Sequence, residues 1–228
     1  MQKNIIDLPY TTILFDMDNT LFDFIESLKL GATAAINVIG DGNADKLLSY
    51  YLRFKYNVED HANLQDYLVD NHIFSVDTYL KCIDAFEHAK YNGLVAYPYI
   101  HELLSKLKNK GYNLGIVTDA YEYAAMRRLN HLNLHKYFDI IVTPDDTGCK
   151  KPRSEPFVYA MDLIGSKPYE TVYIGDSIYR GIEPAKKLGL SVIYAKYGDK
   201  NYYFESVRVC PPHVQIVHSP FEIGEILL

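Results

Sequence analysis

Short apolar runs, each of the length of a buried strand, alternate with helical patterns through most of the chain. Runs that are rich in Ile, Leu and Val and bounded by turn residues are typical of strands buried on both faces. Because helical segments separate these runs, we predict an α/β fold with a doubly wound, Rossmann-like parallel sheet. The predicted strands are residues 13–15, 114–117, 140–142, 172–174, 191–194 and, at one edge, 214–217.

The stretch between residues 24 and 92 has a different pattern, with apolar residues at helical spacing and no strand-like run. It predicts a small helical domain over residues 23–96, inserted into a core formed by residues 1–22 and 97–228. Three apolar stripes mark its helices: Ala34, Ala35, Val38 and Ile39; Leu47, Leu48, Tyr51 and Leu52; and Val76, Tyr79, Leu80, Ile83 and Phe86.

Composition and charge narrow the choice of partners and compartment. The 228 residues are 48% hydrophobic and 23% charged, as in a globular protein, and the net charge of −6 disfavours non-specific binding to nucleic acid. No apolar run reaches transmembrane length, and the N-terminus lacks the apolar region of a signal peptide. The three cysteines are far apart, which favours a reducing compartment. We expect a cytoplasmic monomer or homodimer without nucleic-acid or membrane partners.

Two acidic residues, Asp16 and Asp18, follow the first apolar run. The next residues, Asn19 and Thr20, predict that the strand ends there in a turn. A turn aspartate followed by a helix-capping aspartate would explain one acid, but not a pair at the end of a buried strand. We therefore predict a functional pair, since open α/β sheets bind ligands at the carboxyl ends of their strands.

Polar residues also follow the later strands of the predicted sheet. Thr118 and Asp119 follow the second strand, Lys151 lies in the loop after the third, and Asp176 follows the fourth. Each has a simpler explanation by itself, as a helix cap, a solvated lysine or a turn residue. The doubly wound topology brings the carboxyl ends of the strands to one edge, so we expect these residues to converge.

Carboxylates, a hydroxyl and a lysine at one edge of a sheet are suited to phosphoryl transfer. Neighbouring carboxylates repel one another in a partly desolvated site, and a hard divalent cation such as Mg²⁺ removes that repulsion. One carboxylate can act as a nucleophile and another as general acid and base. The hydroxyl and the lysine can hold the charge that spreads over the phosphoryl oxygens.

These residues resemble the four motifs of the haloacid dehalogenase-like (HAD) hydrolase superfamily, in the same order and over nearly the whole chain. The resemblance implies that Asp16 is the nucleophile and Asp18 the general acid and base. It also implies that a helical insert after the first motif is a cap that closes over the site. The motif residues are Asp16-Met17-Asp18-Asn19-Thr20, Thr118, Lys151-Pro152 and Gly175-Asp176-Ser177.

The resemblance also implies the binding groups and the type of reaction. Dehalogenases of the superfamily lack the second acid of the first motif, so Asp18 favours a phosphatase that acts on a small phosphorylated metabolite. A phosphomutase with the same covalent intermediate is a related alternative. The implied sets are Thr118 and Lys151, with Asp119 beside them, for the phosphate group, and Asp16, the backbone carbonyl of Asp18, and Asp176 for Mg²⁺.

The fourth motif departs from the family pattern, which has a second acid four or five residues after Asp176. Arg180 and Gly181 occupy those positions, and the nearest acid is Glu183. Loss of an acid that orients a metal-bound water predicts weaker Mg²⁺ binding. Gly181→Asp would reverse that weakness unless Gly181 has a positive φ angle or Glu183 already fills the role. A catalytically weak binding or regulatory protein with the same fold is therefore the second hypothesis.

Overall fold

The computed structural model of the chain describes residues 10–53, 55–200 and 209–228, which form two compact units. Phe24–Leu94 is a helical unit, and the segments on either side of it form an α/β unit. The core predicted from the sequence includes residues 1–9 and 201–208, which lie outside the described residues. Within the described ranges, no helix is both long enough and apolar enough to span a membrane.

Six parallel strands form one sheet in the described part of the α/β unit. They are β1 (Thr12–Phe15), β2 (Asn113–Val117), β3 (Ile140–Val142), β4 (Thr171–Gly175), β5 (Ser191–Ala195) and β6 (Gln215–Val217). Their order across the sheet is β3-β2-β1-β4-β5-β6, so the chain moves outward from β1 to β3 and then crosses back to β4 on the other side of β1. The predicted doubly wound α/β fold is confirmed, and each predicted strand is present.

Four helices make up the described part of the helical unit. They are α1 (Phe24–Ile39), α2 (Ala44–Leu52), α3 (Ala62–Asp70) and α4 (Val76–Asn92). Gly31 allows α1 to approach α4 closely, because a Cβ at position 31 would lie 2.9 Å from the carbonyl oxygen of Phe86. The ring of Tyr51 stacks on that of Phe86, with their centroids 4.7 Å apart. The helices of this unit therefore share an apolar core of their own.

Two of the three apolar stripes predicted for the helical unit are only partly buried. Val38, Val76 and Leu80 are 41%, 66% and 58% exposed. In α4 the buried face includes Phe86, which belongs to the predicted stripe, and Cys82, which does not. These two residues are four apart and so lie on one side of the helix. The sequence pattern also does not predict α3, a short helix with several polar residues. Helical spacing identified most helices of this unit and the buried face of α2, whose four predicted residues are all buried, but not the full buried faces of α1 and α4.

The α/β unit packs helices against a sheet whose central strand is fully buried. Its described helices are α5 (Ile100–Asn109), α6 (Glu122–His131), α7 (Pro144–Thr147), α8 (Glu155–Ile164), α9 (Glu183–Lys187) and α10 (Pro220–Leu227). Short 3₁₀ turns occupy His135–Tyr137, Pro168–Glu170 and Lys196–Gly198, and a π-helical turn at Ile178–Ile182 precedes α9. On one face of the sheet, Leu14, Val117 and Tyr173 pack with Phe157 of α8 and Ala185 of α9.

Candidate active site

The carboxyl ends of three neighbouring strands carry three of the predicted site residues. β1 pairs with β2 on one side and with β4 on the other. Asp16 directly follows β1, Thr118 follows β2 and Asp176 follows β4. All three side chains are buried. The topology therefore places them next to one another at the point where the strand order reverses, which is where open α/β sheets bind ligands.

Lys151 reaches Asp16 from the loop between α7 and α8. Its ammonium nitrogen, Nζ, lies 2.6 Å from Oδ1 of Asp16, and its side chain is only 1% exposed. Nζ also donates a hydrogen bond of 2.9 Å to the backbone carbonyl of Val117. A buried cation needs charged or hydrogen-bonding partners, and these two oxygens supply them. Asp16 and Lys151 thus form a buried ion pair at the end of the central strand.

A tight turn follows Asp16 and orients its carboxylate. Asn19 has a φ angle of 58°, in the left-handed region that asparagine adopts more readily than most residues. The backbone N–H of Met17 donates to Oδ1 of Asp16 at 2.8 Å. The hydroxyl of Tyr197 donates to the backbone carbonyl of Thr20 at 2.8 Å and holds the far side of the turn. The turn predicted at Asn19 and Thr20 is present.

Asp18 contacts a residue that the sequence analysis did not identify. Nη2 of Arg128, in α6, lies 3.3 Å from Oδ2 of Asp18. The Arg128 side chain is 1% exposed, whereas that of Asp18 is 23% exposed. The sequence did contain a signal, because Arg128 interrupts the buried stripe formed by Ala125 and Leu129. A cation within an apolar stripe requires an anionic partner, and here the partner is the second acid of the first motif.

Thr118 and Asp119 make hydrogen bonds that shape the loops around the site. The hydroxyl of Thr118 accepts the backbone N–H of Ala120 at 3.1 Å. Oδ1 of Asp119 accepts the backbone N–H of Lys151 at 2.9 Å, and its Oδ2 lies 3.7 Å from Nη1 of Arg180. The carboxylate of Asp119 therefore positions the loop that carries Lys151.

Asp176 is buried beside a second carboxylate. Burial raises the pKa of Asp176 well above its usual range, and the nearby charge of Asp16 raises it further. The positive charges of Arg180 and Lys151 act in the opposite direction. Thr20 donates a long hydrogen bond of 3.5 Å from its hydroxyl to Oδ1 of Asp176. Two neighbouring carboxylates that are shielded from water, here those of Asp16 and Asp176, favour the binding of a cation.

The oxygen atoms around Asp16 and Asp176 are of the kind that Mg²⁺ prefers as ligands. This ion is usually held by one or two carboxylates together with several water molecules. Asp16 and Asp176 supply two carboxylates, and the backbone carbonyl of Asp18 belongs to the turn that follows Asp16. Across residues 10–53, 55–200 and 209–228, no three His, Cys, Asp or Glu side chains cluster closely enough to hold a metal. The donor set therefore suits a cation that keeps much of its water.

The position at which a second acid is expected in the fourth motif is enclosed by a tyrosine ring. Arg180 and Gly181 lie in the π-helical turn. The backbone N–H of Arg180 donates to Oγ of Ser177 at 3.1 Å and so caps the start of that turn. The φ angle of Gly181 lies outside the left-handed region, so backbone conformation does not require glycine there. A Cβ at position 181 would instead lie 2.6 Å from Oη of Tyr173. Space, rather than φ, is what restricts this position.

The fold and the site together define a hydrolase of the haloacid dehalogenase type. The defining features are the doubly wound sheet, the acids after β1 and β4, and the lysine from the loop between α7 and α8. The chain belongs to the haloacid dehalogenase-like hydrolase family, whose family model matches residues 13–195. That match covers all four motifs. The resemblance predicted from the sequence is therefore confirmed.

Individual relatives have the same fold or similar sequences along most of their length. A glyceraldehyde 3-phosphate phosphatase from Methanocaldococcus jannaschii is 30% identical over 199 residues, which are 82% of this chain and 86% of the relative. A phosphoglycolate phosphatase from Aquifex aeolicus is 28% identical over 199 residues, with 82% and 84% covered. The HAD-hydrolase YfnB from Bacillus subtilis, solved bound to magnesium, superposes with a TM-score of 0.73 at 23% identity, covering 96% of this chain and 98% of its own. At that identity the likeness to YfnB concerns the fold.

Proposed function

We propose that the protein is a Mg²⁺-dependent phosphatase that hydrolyses a small phosphorylated metabolite through an aspartyl-phosphate intermediate. The observation that carries the proposal is the buried pair of Asp16 and Lys151, with 2.6 Å between Nζ and Oδ1, at the end of the central strand. The carboxylate is a suitable nucleophile, and the ammonium beside it can neutralise phosphoryl oxygens. Relatives that are named as phosphatases of small phosphorylated compounds support the same chemistry.

The first half of the proposed reaction transfers the phosphoryl group to Asp16. A carboxylate oxygen of Asp16 attacks phosphorus, and the bond between phosphorus and the substrate oxygen breaks. Asp18 donates a proton to that oxygen, which leaves as an alcohol. In the second half, Asp18 takes a proton from a water molecule that attacks phosphorus. Phosphate is released and the carboxylate of Asp16 is restored.

We assign the binding of the substrate's phosphate group to the side chains of Lys151 and Thr118 and to the backbone N–H of Asp119. The ammonium of Lys151 is already beside the nucleophile, so it lies next to the phosphorus atom that Asp16 attacks. The carboxylate of Asp119 would repel a phosphate and is occupied by the backbone N–H of Lys151. We therefore assign to Asp119 a contact through its main chain and not through its side chain.

The carboxylates of Asp16 and Asp176 and the backbone carbonyl of Asp18 are the groups that would hold Mg²⁺. When bound, the ion would reduce the negative charge that accumulates on the phosphoryl oxygens. The burial of Asp176 beside Asp16 supports this assignment, because a cation offsets both the desolvation and the repulsion that raise the pKa of Asp176.

We also propose that the helical domain, residues 23–96, is the cap that selects the substrate, while residues 1–22 and 97–228 carry the chemistry. Two observations support this division. The segment Phe24–Leu94 is a compact unit of its own, and every residue assigned to the reaction lies in the α/β unit.

The three cysteines are free thiols, which supports the reducing cytoplasm as the compartment.

Phosphate release from a panel of esters, with and without Mg²⁺, tests the proposed function. The panel contains an aryl phosphate, glyceraldehyde 3-phosphate, phosphoglycolate, sugar phosphates and nucleoside monophosphates. We expect hydrolysis of at least one small ester, loss of that activity in a chelator, and recovery when Mg²⁺ is added back. A folded protein that releases no phosphate from any ester at saturating Mg²⁺ would instead support a binding or regulatory role.

Asp18→Asn is expected to slow the hydrolysis of alkyl phosphates far more than that of activated aryl phosphates. An alkoxide is a poor leaving group and needs the proton that Asp18 supplies, whereas an activated phenolate leaves without it. General acid catalysis of this kind contributes about 10²–10⁴-fold. The measurement is kcat for both ester types at saturating Mg²⁺. Equal losses on the two would point to a structural role for Asp18.

Arg128→Gln should produce a weaker form of the same defect. Its guanidinium contacts Oδ2 of Asp18, so its loss leaves the orientation of the acid less well defined. We expect kcat for alkyl phosphates to fall about tenfold, because a small misplacement of a catalytic group lowers the rate by up to about 100-fold. Arg127→Gln, at the adjacent exposed position, is the matched control. If adding Arg128→Gln to the Asp18→Asn variant lowers kcat by the same factor as adding it to the wild type, Arg128 does not act through Asp18.

A further inference from the structure

The hydroxyl of Tyr173 lies beside the ammonium of Lys151 in the interior of the α/β unit. Oη is 3.4 Å from Nζ, and the tyrosine is fully buried. Phe157 packs edge-to-face against the ring, with centroids 5.1 Å apart, and so holds it in place. An ammonium group has three N–H donors. Among the described residues, the oxygens around Nζ are Oδ1 of Asp16, the carbonyl of Val117 and Oη of Tyr173.

Two glycines make room for the end of the Tyr173 ring. Gly175 is two residues further along β4, so it faces the same side of the sheet. A Cβ at Gly175 would lie 2.8 Å from Oη, and one at Gly181 would lie 2.6 Å from it. Both distances are too short for real side chains, and neither glycine has a left-handed φ angle. The ring therefore fills the space that a side chain at position 181 would enter, which is one of the two positions where the family pattern has its second acid.

We propose that Tyr173 positions Lys151, and that its ring occupies the space that an acid at position 181 would enter, with Gly181 as its steric complement. Oη accepts the ammonium hydrogen that is not directed at Asp16 or Val117. Nζ is thereby kept next to the carboxylate that attacks phosphorus. Tyr173 is a positioning residue, because it acts through Lys151. The inference rests on the proposed function in one respect, the binding of phosphate by Lys151.

Tyr173→Phe removes Oη and keeps the ring, so it tests the hydrogen bond alone. We expect inorganic phosphate, titrated calorimetrically at fixed Mg²⁺, to bind about tenfold more weakly, with a similar fall in kcat/KM and a fall in Tm of only about 2–4 °C. Tyr194→Phe removes a buried hydroxyl on the next strand, where it hydrogen-bonds Asp199, and is the matched control. In a Lys151→Met background, Tyr173→Phe should have no further effect. Unchanged phosphate binding in Tyr173→Phe, or the same weakening without Lys151, would overturn the proposal.

Gly181→Ala tests the steric pairing by thermal unfolding. In the wild-type background the added Cβ collides with Tyr173, and we expect Tm to fall by about 5 °C. In a Tyr173→Leu background, which lacks the ring tip, the same change should lower Tm much less. Equal decreases in both backgrounds would overturn the pairing. This measurement needs no activity, so it separates the two ideas: a wild type that neither binds phosphate nor hydrolyses esters refutes the proposed function, while the Tm comparison still decides the pairing.

Discussion

Asp16→Asn is expected to reduce turnover by about ten-thousand-fold or more, because an amide cannot form the aspartyl-phosphate. The fold should persist with lower stability. Asparagine has nearly the shape of aspartate and no longer repels Asp176, but the buried ammonium of Lys151 loses its charged partner. Steady-state phosphate release measures the loss, and circular dichroism with thermal melting measures the fold. Phosphate that remains covalently attached after acid quenching should be detectable in the wild type and not in the variant.

Asp162→Asn is the matched control for this experiment. It removes the same charge from an exposed position of α8 and should leave activity unchanged. Deamidation of the asparagine at position 16 would restore the catalytic aspartate, so mass spectrometry should accompany each assay of Asp16→Asn. The covalent mechanism would be contradicted by turnover above about one per cent of wild type in Asp16→Asn, measured in a sample shown to contain no aspartate at position 16.

Lys151→Met is expected to lower both stability and turnover. The change leaves the buried carboxylate of Asp16 without the ammonium that lies 2.6 Å away. Removing one partner of a buried ion pair lowers the free energy of unfolding by about 3–5 kcal/mol. The loss of charge at the phosphoryl oxygens should lower kcat/KM by about 100-fold or more. Denaturant unfolding measures the first effect, and steady-state kinetics the second.

The double variant Asp16→Asn/Lys151→Met separates the ion pair from simple packing. Neither charge is left buried alone, so it should be more stable than the sum of the two single changes predicts, by at least about 1 kcal/mol. Lys150→Met, at the adjacent exposed position, is the control and should change both properties little. Strictly additive losses of stability would mean that Asp16 and Lys151 do not depend on each other.

The sequence by itself determined the strands and the polar residues at their ends. A strand buried on both faces is a nearly continuous apolar run, so residues 13–15 and 172–174 can be recognised without knowledge of their neighbours. Parallel pairing in a doubly wound sheet then brings Asp16, Thr118 and Asp176 to one edge, whatever the details of side-chain packing. The fold class and the location of the candidate site follow from those two facts.

Helical spacing was less informative about burial. It predicts which residues of a helix share a face, but the neighbours of the helix decide which face is covered. Val76 and Leu80 belong to the predicted stripe of α4 and are exposed, while Cys82 is buried. α3 is only nine residues long, and its buried apolar residues Leu64, Tyr67 and Leu68 show helical spacing over little more than one turn, which is too short a pattern to predict a helix by itself.

Only the tertiary structure decided which residues surround the acids. The contact of Arg128 with Asp18 joins a helix to a turn far from it in sequence, and nothing in either local pattern specifies that meeting. The requirement for glycine at position 181 likewise comes from Tyr173, a residue of another element. Periodicity reports the environment of each position, apolar or polar. Contacts between side chains depend on rotamers and on the volume that neighbouring elements leave free, and these exist only once the chain is packed.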